Sequence, residues 1–327
     1  MYDFLSIGDT SHNVFLEMTD DTVHINCRKN DENCEICFSW ADKIPVKALH
    51  DTIGGNSANA AVSFARLGLK TALYTHVGKD DQGERIVKTL QADNIDTDFV
   101  VTDNDKMSNF STVINLHGER SILVYHEHRH YAFPKIEPAK WIYLSSMGEG
   151  SESIFPDICA YTEQHQANLC YQPGTFQLKL GSAPAAELLR HTKVFMVNKE
   201  EAEMYLGIEK TEDFRQHLDG ILALGPKIAL VTDGTKGAYV SDGNEYIYLG
   251  IIKEAPRNEA TGAGDSFSSA FAAALSHGKT LGEAMLWGQA QASSCIQQVG
   301  PQAGLLPQSE IEAILAAHPG LQPEPMR

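Results

Sequence analysis

The chain has 327 residues, 43% of them hydrophobic and 21% charged, and its 26 Lys and Arg against 43 Asp and Glu leave a net charge of −17. That is enough apolar material for one large α/β domain or two small ones. The acidity argues against a nucleic-acid backbone as partner, which needs a basic footprint, though local backbone donors can still hold a small anion. No apolar run nears the ~20 residues of a membrane span, so no membrane partner is expected. Met1-Tyr2-Asp3-Phe4 lacks the basic start of a secretory signal. Six cysteines in a chain of this length read as cytosolic thiols rather than a disulfide framework, and the expected location is cytoplasmic.

Short apolar runs at Phe4 to Ile7, Ala72 to Val77, Trp141 to Leu144, Ala167 to Tyr171, Val194 to Val197 and Ile228 to Val231 predict strands. Amphipathic stretches such as Asn59 to Leu67 and Gly83 to Leu90 predict helices between them. Repetition of strand and helix implies a mostly parallel sheet covered on both faces, with ligands at the carboxyl ends of its strands. Residues 14–47 and 100–131 break this rhythm. They are strand-like, with His117-Gly118-Glu119-Arg120 as a hairpin turn between Thr112 to Leu116 and Ser121 to Tyr125. Both regions are expected to leave the sheet and form a small lid within a single domain spanning 1–327. The tail, Pro319 to Arg327, reads as frayed.

Four segments carry candidate chemistry. Gly54-Gly55-Asn56-Ser57-Ala58-Asn59 enters an alanine-rich helix; paired glycines admit a ligand close to the backbone, and amides suit sugar hydroxyls, while an Asn or Ser N-cap accounts equally well for the pattern. Asn198-Lys199-Glu200-Glu201 follows a buried strand and reads by itself as a capping box. Thr232-Asp233-Gly234-Thr235-Lys236-Gly237 is a hairpin or a nucleotide loop. Glu259-Ala260-Thr261-Gly262-Ala263-Gly264-Asp265-Ser266-Phe267 precedes a small-residue helix. Its glycines and helix start would present N–H groups to a phosphoryl group, with Asp265 beside them to accept a proton; an acidic first helical turn explains the same residues without a ligand. Gly278-Lys279-Thr280 fails as a P-loop ending because Ala273 stands where the first glycine belongs.

In this order the four segments resemble the ribokinase-like (PfkB) family of carbohydrate and nucleoside kinases, over nearly the whole chain. The resemblance implies a three-layer α/β/α fold with a mostly parallel central sheet and a small β lid. It implies an ATP-dependent phosphotransferase acting on a hydroxyl of a sugar or sugar acid, with Asp265 as general base and an anion hole from the N–H groups of Gly262, Ala263 and Gly264. Asn13, Gly54, Gly55, Asn56 and Asn59 fall where the family holds its acceptor. Asn198, Thr232, Gly234, Gly237 and Gln289 fall along ATP, and Glu201 supports Mg²⁺ through water. Glu259 stands where the family often has Asp, at a site for a monovalent cation, K⁺. Gln297 to Gly304 matches a loop over the adenine. The lid implies a homodimer. Two alternatives stand beside this reading: an adenosine-like nucleoside kinase with Phe15, Phe110 and Tyr131 as a base clamp, and a catalytically silent ligand-binding protein on the same fold.

Two clusters lie outside these motifs. Cys27, Cys34 and Cys37, with His24 or His50, could bind Zn²⁺; free lid thiols are the simpler expectation. His126, His128 and His130 would share one face if they lie on a strand, and Arg129 would then point the other way.

Overall fold

Five of the six expected strands, all but Ala72 to Val77, send alternate apolar side chains into cores on opposite faces of the sheet. Leu5, Ile7, Ile142, Leu144, Leu169, Tyr171, Phe195, Val197, Ala229 and Val231 enter one core. Phe4, Trp141, Tyr143, Cys170, Val194, Met196 and Leu230 enter another on the far side. A sheet covered on both faces requires this two-sided pattern.

The computed structural model describes residues 1–27, 34–117, 119–253 and 257–326. In chain order the elements are β1 (Tyr2–Ile7), β2 (Ser11–Glu17), β3 (His24–Cys27), β4 (Cys34–Cys37), β5 (Ala48–Gly54), α1 (Asn56–Arg66), β6 (Thr71–Gly78), α2 (Asp81–Ala92), β7 (Val100–Asp103), β8 (Phe110–Leu116), β9 (Glu119–Tyr125) and β10 (Ala139–Leu144). They continue as α3 (Phe155–His165), β11 (Asn168–Tyr171), α4 (Thr175–Leu180), α5 (Ala186–His191), β12 (Thr192–Asn198), α6 (Lys199–Leu206), α7 (Phe214–Ala223) and β13 (Ile228–Thr232). The chain closes with β14 (Ala238–Ser241), β15 (Tyr246–Leu249), α8 (Ala263–Ser276), α9 (Leu281–Cys295), α10 (Gln308–Ala317) and β16 (Glu324–Pro325).

The large sheet has the order β16-β15-β14-β13-β12-β11-β10-β1-β6-β7. It is parallel from β13 through β7 and antiparallel from β13 to β16. Helices α3, α5, α6 and α7 contribute to the first core, and α1, α8, α9 and α10 to the second, giving three layers. The tail is not frayed: Glu324 pairs with Tyr248, and the Met326 N–H donates to the Tyr246 carbonyl at 2.9 Å. That pairing links segments far apart in sequence, so local composition does not reveal it.

The small sheet has the order β5-β2-β8-β9. Its strands β8 and β9 fall within the expected 100–131 and most of β2 within 14–47, whereas β5, residues 48–54, lies just beyond, and β3 and β4 form a hairpin of their own. Val100–Asp103 pairs with β6 in the large sheet, and residues 126–138 are irregular. β8 and β9 form the expected hairpin; Gly118 lies outside the described residues. Strand alternation gives Asn13, Phe15 and Glu17 one face of β2, with Thr52, His50, Ser111, Val113, Asn115 and Arg120 paired onto that face from the neighbouring strands.

β3 and β4 form a separate hairpin whose register corrects the reading of the cysteines. Cys27 lies directly opposite Cys34 and the two form a disulfide. His24 lies opposite Cys37, and alternation turns that pair to the other face. The three sulfurs therefore do not converge on one metal, and among the described residues no group of three or more metal-ligating side chains occurs.

Phe64 of α1 stacks on Phe4, ring centroids 3.8 Å apart, and meets the Tyr143 ring edge-on at 5.4 Å. All three are fully buried. Phe64→Ala is expected to cost about 3–5 kcal/mol in urea unfolding, through lost burial and an unfilled cavity; a loss below about 1 kcal/mol would show that the site collapses around the gap.

Candidate active site

Asp265 sits in the first turn of α8, buried, and each of its carboxylate oxygens accepts a hydrogen bond from an amide. Asn59 Nδ2 donates to Oδ2 at 2.8 Å, and Gln172 Nε2 donates to Oδ1 at 3.1 Å. Asn59 Oδ1 in turn accepts from Gln302 Nε2 at 3.1 Å, and Gln172 Oε1 accepts from the Tyr143 hydroxyl. Burial pushes the Asp265 carboxyl above the usual carboxylate range; the two amides and the positive charge of Arg120 pull it back. Arg120 reaches this field from β9 of the small sheet.

α8 begins on Gly262, a left-handed residue at φ 82°. A Cβ there would come within 2.6 Å of the Pro301 side chain, so glycine is required by backbone sign and by space. The Ala263 N–H already donates to the Ala260 carbonyl at 3.3 Å. Gly264 and Asp265 stand at the helix start, where no carbonyl one turn back lies within the helix, and their N–H groups point out of its positive end.

The front glycines have separate reasons. A Cβ on Gly54 would lie 2.1 Å from Asn13 Nδ2, and one on Gly55, itself at φ 98°, would lie 2.3 Å from the Asp9 carbonyl oxygen. Gly54 thus gives Asn13 its place, where Oδ1 accepts from Ser11 Oγ at 2.7 Å. Gly55 rather than Asn or Ser caps α1, without a side-chain bond. Asn56 follows it as the first helical residue, half-buried, whereas the Asn59 amide is committed to Asp265 and Gln302.

Asn198 and Glu201 make the capping box. Asn198 Oδ1 accepts from the Glu201 N–H at 2.8 Å, and Glu201 Oε2 accepts from the Asn198 N–H at 2.9 Å. Burial raises the Glu201 carboxyl, and the charge of Asp265 adds to the rise, so the two acidic groups share one field. Thr232 pairs with Asn198 across β12 and β13. Gly234 and Gly237 flank a short turn into β14, and a Cβ on Gly237 would lie 2.2 Å from the Leu249 carbonyl oxygen. Gln289 is buried on α9, and no hydrogen bond among the described residues ties it to Asp265. Glu259 is fully buried; Oε1 accepts from Thr261 N at 2.6 Å and Thr261 Oγ1 at 2.5 Å, while Oε2 has no hydrogen-bond partner among the described residues.

Sequence reasoning missed Gln172, Tyr143 and Asp9. Asp9 is buried, and its Oδ2 accepts from the Tyr131 hydroxyl and the Gly148 N–H, both at 2.7 Å, with His126 Nε2 at 3.0 Å. Strand β9 ends at Tyr125, so the alternating histidines do not share a strand face. His126 turns to Asp9, and Arg129 is buried in an ion pair with Asp103 while donating to the Met107 carbonyl at 2.6 Å. No helix among the described residues is long and apolar enough to cross a membrane.

A model of the pfkB family of carbohydrate kinases matches residues 15–308. The chain belongs to that family. This pfkB kinase is 28% identical over 275 residues to the ribokinase of Bacillus subtilis, across 80% of this chain and 87% of that protein. It superposes on the ribokinase of Arabidopsis thaliana complexed with ribose and ATP with a TM-score of 0.78 at 23% identity, covering 96% and 98% of the two chains. It also superposes on the nucleoside kinase of Burkholderia thailandensis in complex with inosine, TM-score 0.76 at 16% identity, covering 98% and 100%. The three-layer fold and the carbohydrate-kinase class follow.

The raised Asp265 carboxyl has a stability signature. Its contribution is present below the unfolded value, about pH 4, and is lost as pH rises through the higher native value. Asp265→Asn removes that loss, so urea melts from roughly pH 4 to 8 are expected to show the variant gaining stability relative to wild type as pH rises. A difference independent of pH would contradict a raised carboxyl.

Proposed function

We propose that this pfkB kinase transfers the γ-phosphoryl group of ATP to a hydroxyl of a sugar or sugar acid, with Asp265 as the general base. The observation that carries this is a buried carboxylate held by two amides in the first turn of a helix whose leading N–H groups lack intrahelical partners. Asp265 accepts the acceptor's proton as that oxygen attacks phosphorus; the bond from phosphorus to the bridging oxygen breaks, and ADP leaves. The N–H groups of Gly262, Gly264 and Asp265 steady the negative charge on the transferring group, and that of Ala263 joins them only by leaving the Ala260 carbonyl. Such transfer depends chiefly on position and charge neutralisation.

Asn198, Thr232, Gly234 and Gly237 line the β12–β13 edge where the nucleotide would lie, and Gln289 is the partner assigned to its adenine. Glu201 keeps Oε1 for a Mg²⁺-bound water, since Oε2 is engaged by the Asn198 N–H. Mg²⁺, when bound with the nucleotide, neutralises charge on the phosphates. The unpartnered, buried Oε2 of Glu259 fits a monovalent cation such as K⁺, because a buried carboxylate oxygen needs a donor or a positive charge.

The small sheet acts as the lid. Arg257 Nη2 donates to Glu119 Oε1 at 3.1 Å across the crevice, and a Cβ on Gly300 would lie 3.2 Å from Thr52 Cγ2, so the sheet meets both late segments. Closure there excludes water that would otherwise hydrolyse ATP. A cavity of about 520 Å³ is lined by Phe15, His50, Asn115, His117, Asn258 and Val299 among others; Phe15, His50 and Asn115 share the Asn13 face of the small sheet, and this room is assigned to the body of the acceptor. Asn13, Gly54, Gly55, Asn56 and Asn59 do not line it and are assigned to the acceptor through the family's pattern. The aromatics expected for a nucleoside clamp are dispersed. Phe15 lines the cavity, Phe110 packs on His12 on the opposite face, and Tyr131 is bonded to Asp9. This supports a sugar over a nucleoside.

Incubation with ATP, Mg²⁺ and a panel of sugars, sugar acids and nucleosides is expected to release ADP with a sugar-class acceptor. Asp265→Asn is expected to lower turnover by about 10²–10⁴. Equal turnover would remove Asp265 as base, and no ADP release with any acceptor would favour a silent binding protein.

The lid also supports a homodimer. Ile122, Leu123, Val124 and Tyr125 are exposed at 42–63% on edge strand β9, an open edge of the kind that pairs or is covered. Light scattering at micromolar concentration is expected to give twice the chain mass, and Val124→Lys half of that; a monomeric wild type would overturn the assignment.

A further inference from the structure

The amides around Asp265 do more than fill hydrogen-bonding positions, because each is locked from behind. Gln172 arrives at the end of β11, in a Gln-Pro-Gly stretch with no recognisable motif. A glutamine amide can turn either way, presenting N–H or oxygen. Here the Tyr143 hydroxyl donates to Gln172 Oε1. The phenol proton is thereby directed at Gln172, and the amide N–H at Asp265. The reverse orientation would set two oxygens against each other in a buried site, at the cost of an unsatisfied pair. Asn59 has the mirror arrangement, its oxygen taken by Gln302. The chain therefore runs from Tyr143 and from Gln302 inward, and every proton along it points toward the carboxylate.

We propose that Gln172, locked by Tyr143, is a positioning residue that keeps Asp265 deprotonated and turned toward the acceptor hydroxyl. This rests on the reading of Asp265 as the base. The logic is that of a buried carboxylate whose charged form is favoured by the donors it accepts from. A protonated carboxyl would need an acceptor on one side, and both sides here offer donors. The other titratable and charged groups facing Asp265 are Arg120 from β9, which favours the charged form, and Glu201 from α6, Tyr143 from β10 and Cys295 from α9, whose own ionisation its charge opposes. Of the groups that favour the charged form, Arg120 belongs to the small sheet. Gln172 and Asn59 stand on the α/β core and act whether or not the lid is closed.

The test uses the full chain labelled with ¹³C at aspartate carboxyls, the Asp265 signal being identified by its loss in Asp265→Asn. Gln172→Met keeps the side-chain volume and removes the donor. The Asp265 titration midpoint is expected to rise by about one to two pH units in that variant, and by less in Tyr143→Phe, where the amide stays but is free to turn. In turnover with the best acceptor, Gln172→Met is expected to lower kcat by about tenfold or more with the acceptor KM within about twofold, and to move the acid limb of the profile upward with the midpoint. An unmoved midpoint in the folded variants overturns the proposal, as does a lower kcat with no movement of the acid limb. If Gln172→Met does not fold, Tyr143→Phe decides alone by the same midpoint. A wild type without kinase activity would overturn the role in turnover, whereas the carboxyl titration reads the hold of Gln172 on Asp265 in either case.

Discussion

A carboxylate taken out of water at the start of a helix is the constraint on which the site depends. Left alone it would take up a proton or hold the chain back from folding. The fold meets this with two donors and a charge: the Asn59 amide from α1, the Gln172 amide just past β11, and the positive charge of Arg120 on β9. The packing of α1 against α8 and of both against the large sheet is therefore also an electrostatic arrangement. Small residues make it feasible, since the fully buried Ala270, Ala272, Ala273 and Ala274 of α8 and Ala58, Ala60 and Ala61 of α1 let the helices approach closely enough for side chains as short as Asn to reach across.

The glycines of the two signature segments answer to different demands. Gly262 and Gly55 adopt backbone angles that side chains resist, whereas Gly54 has an ordinary φ and is held to glycine by the Asn13 amide alone. Position 54 is thus tied to the identity of position 13, although they stand far apart in sequence. A reading confined to local motifs treats Gly54 and Gly55 as one feature; the packing separates them into a purely steric requirement at Gly54 and one both conformational and steric at Gly55.

Much of the fold was legible because its strands are buried on both faces and its helices end at glycine or start at a capping residue. Phe4 to Ile7 and Val194 to Val197 announce themselves in that way. What stayed hidden depends on pairings between distant segments. Nothing local to Glu324 says that it adds to the sheet at Tyr248, and nothing in the spacing of Cys27, Cys34 and Cys37 says that register turns the last of them to the opposite face. In the candidate site, Asp265 stood out through its glycines. Gln172 did not, because an amide becomes informative only when its two neighbours are known.

Arg66 gives the site its mechanical character. From the last turn of α1 it bonds Asp93 and the carbonyl oxygens of Gln302 and Leu305, the latter two at 2.6 and 3.1 Å. One guanidinium thereby rivets the helix that carries Asn59 to the loop that carries Gln302. On the lid role proposed for the small sheet, those parts make the fixed jaw of the site, and the four strands that reach Arg257 through Glu119 and Gly300 through Thr52 make the opposing one.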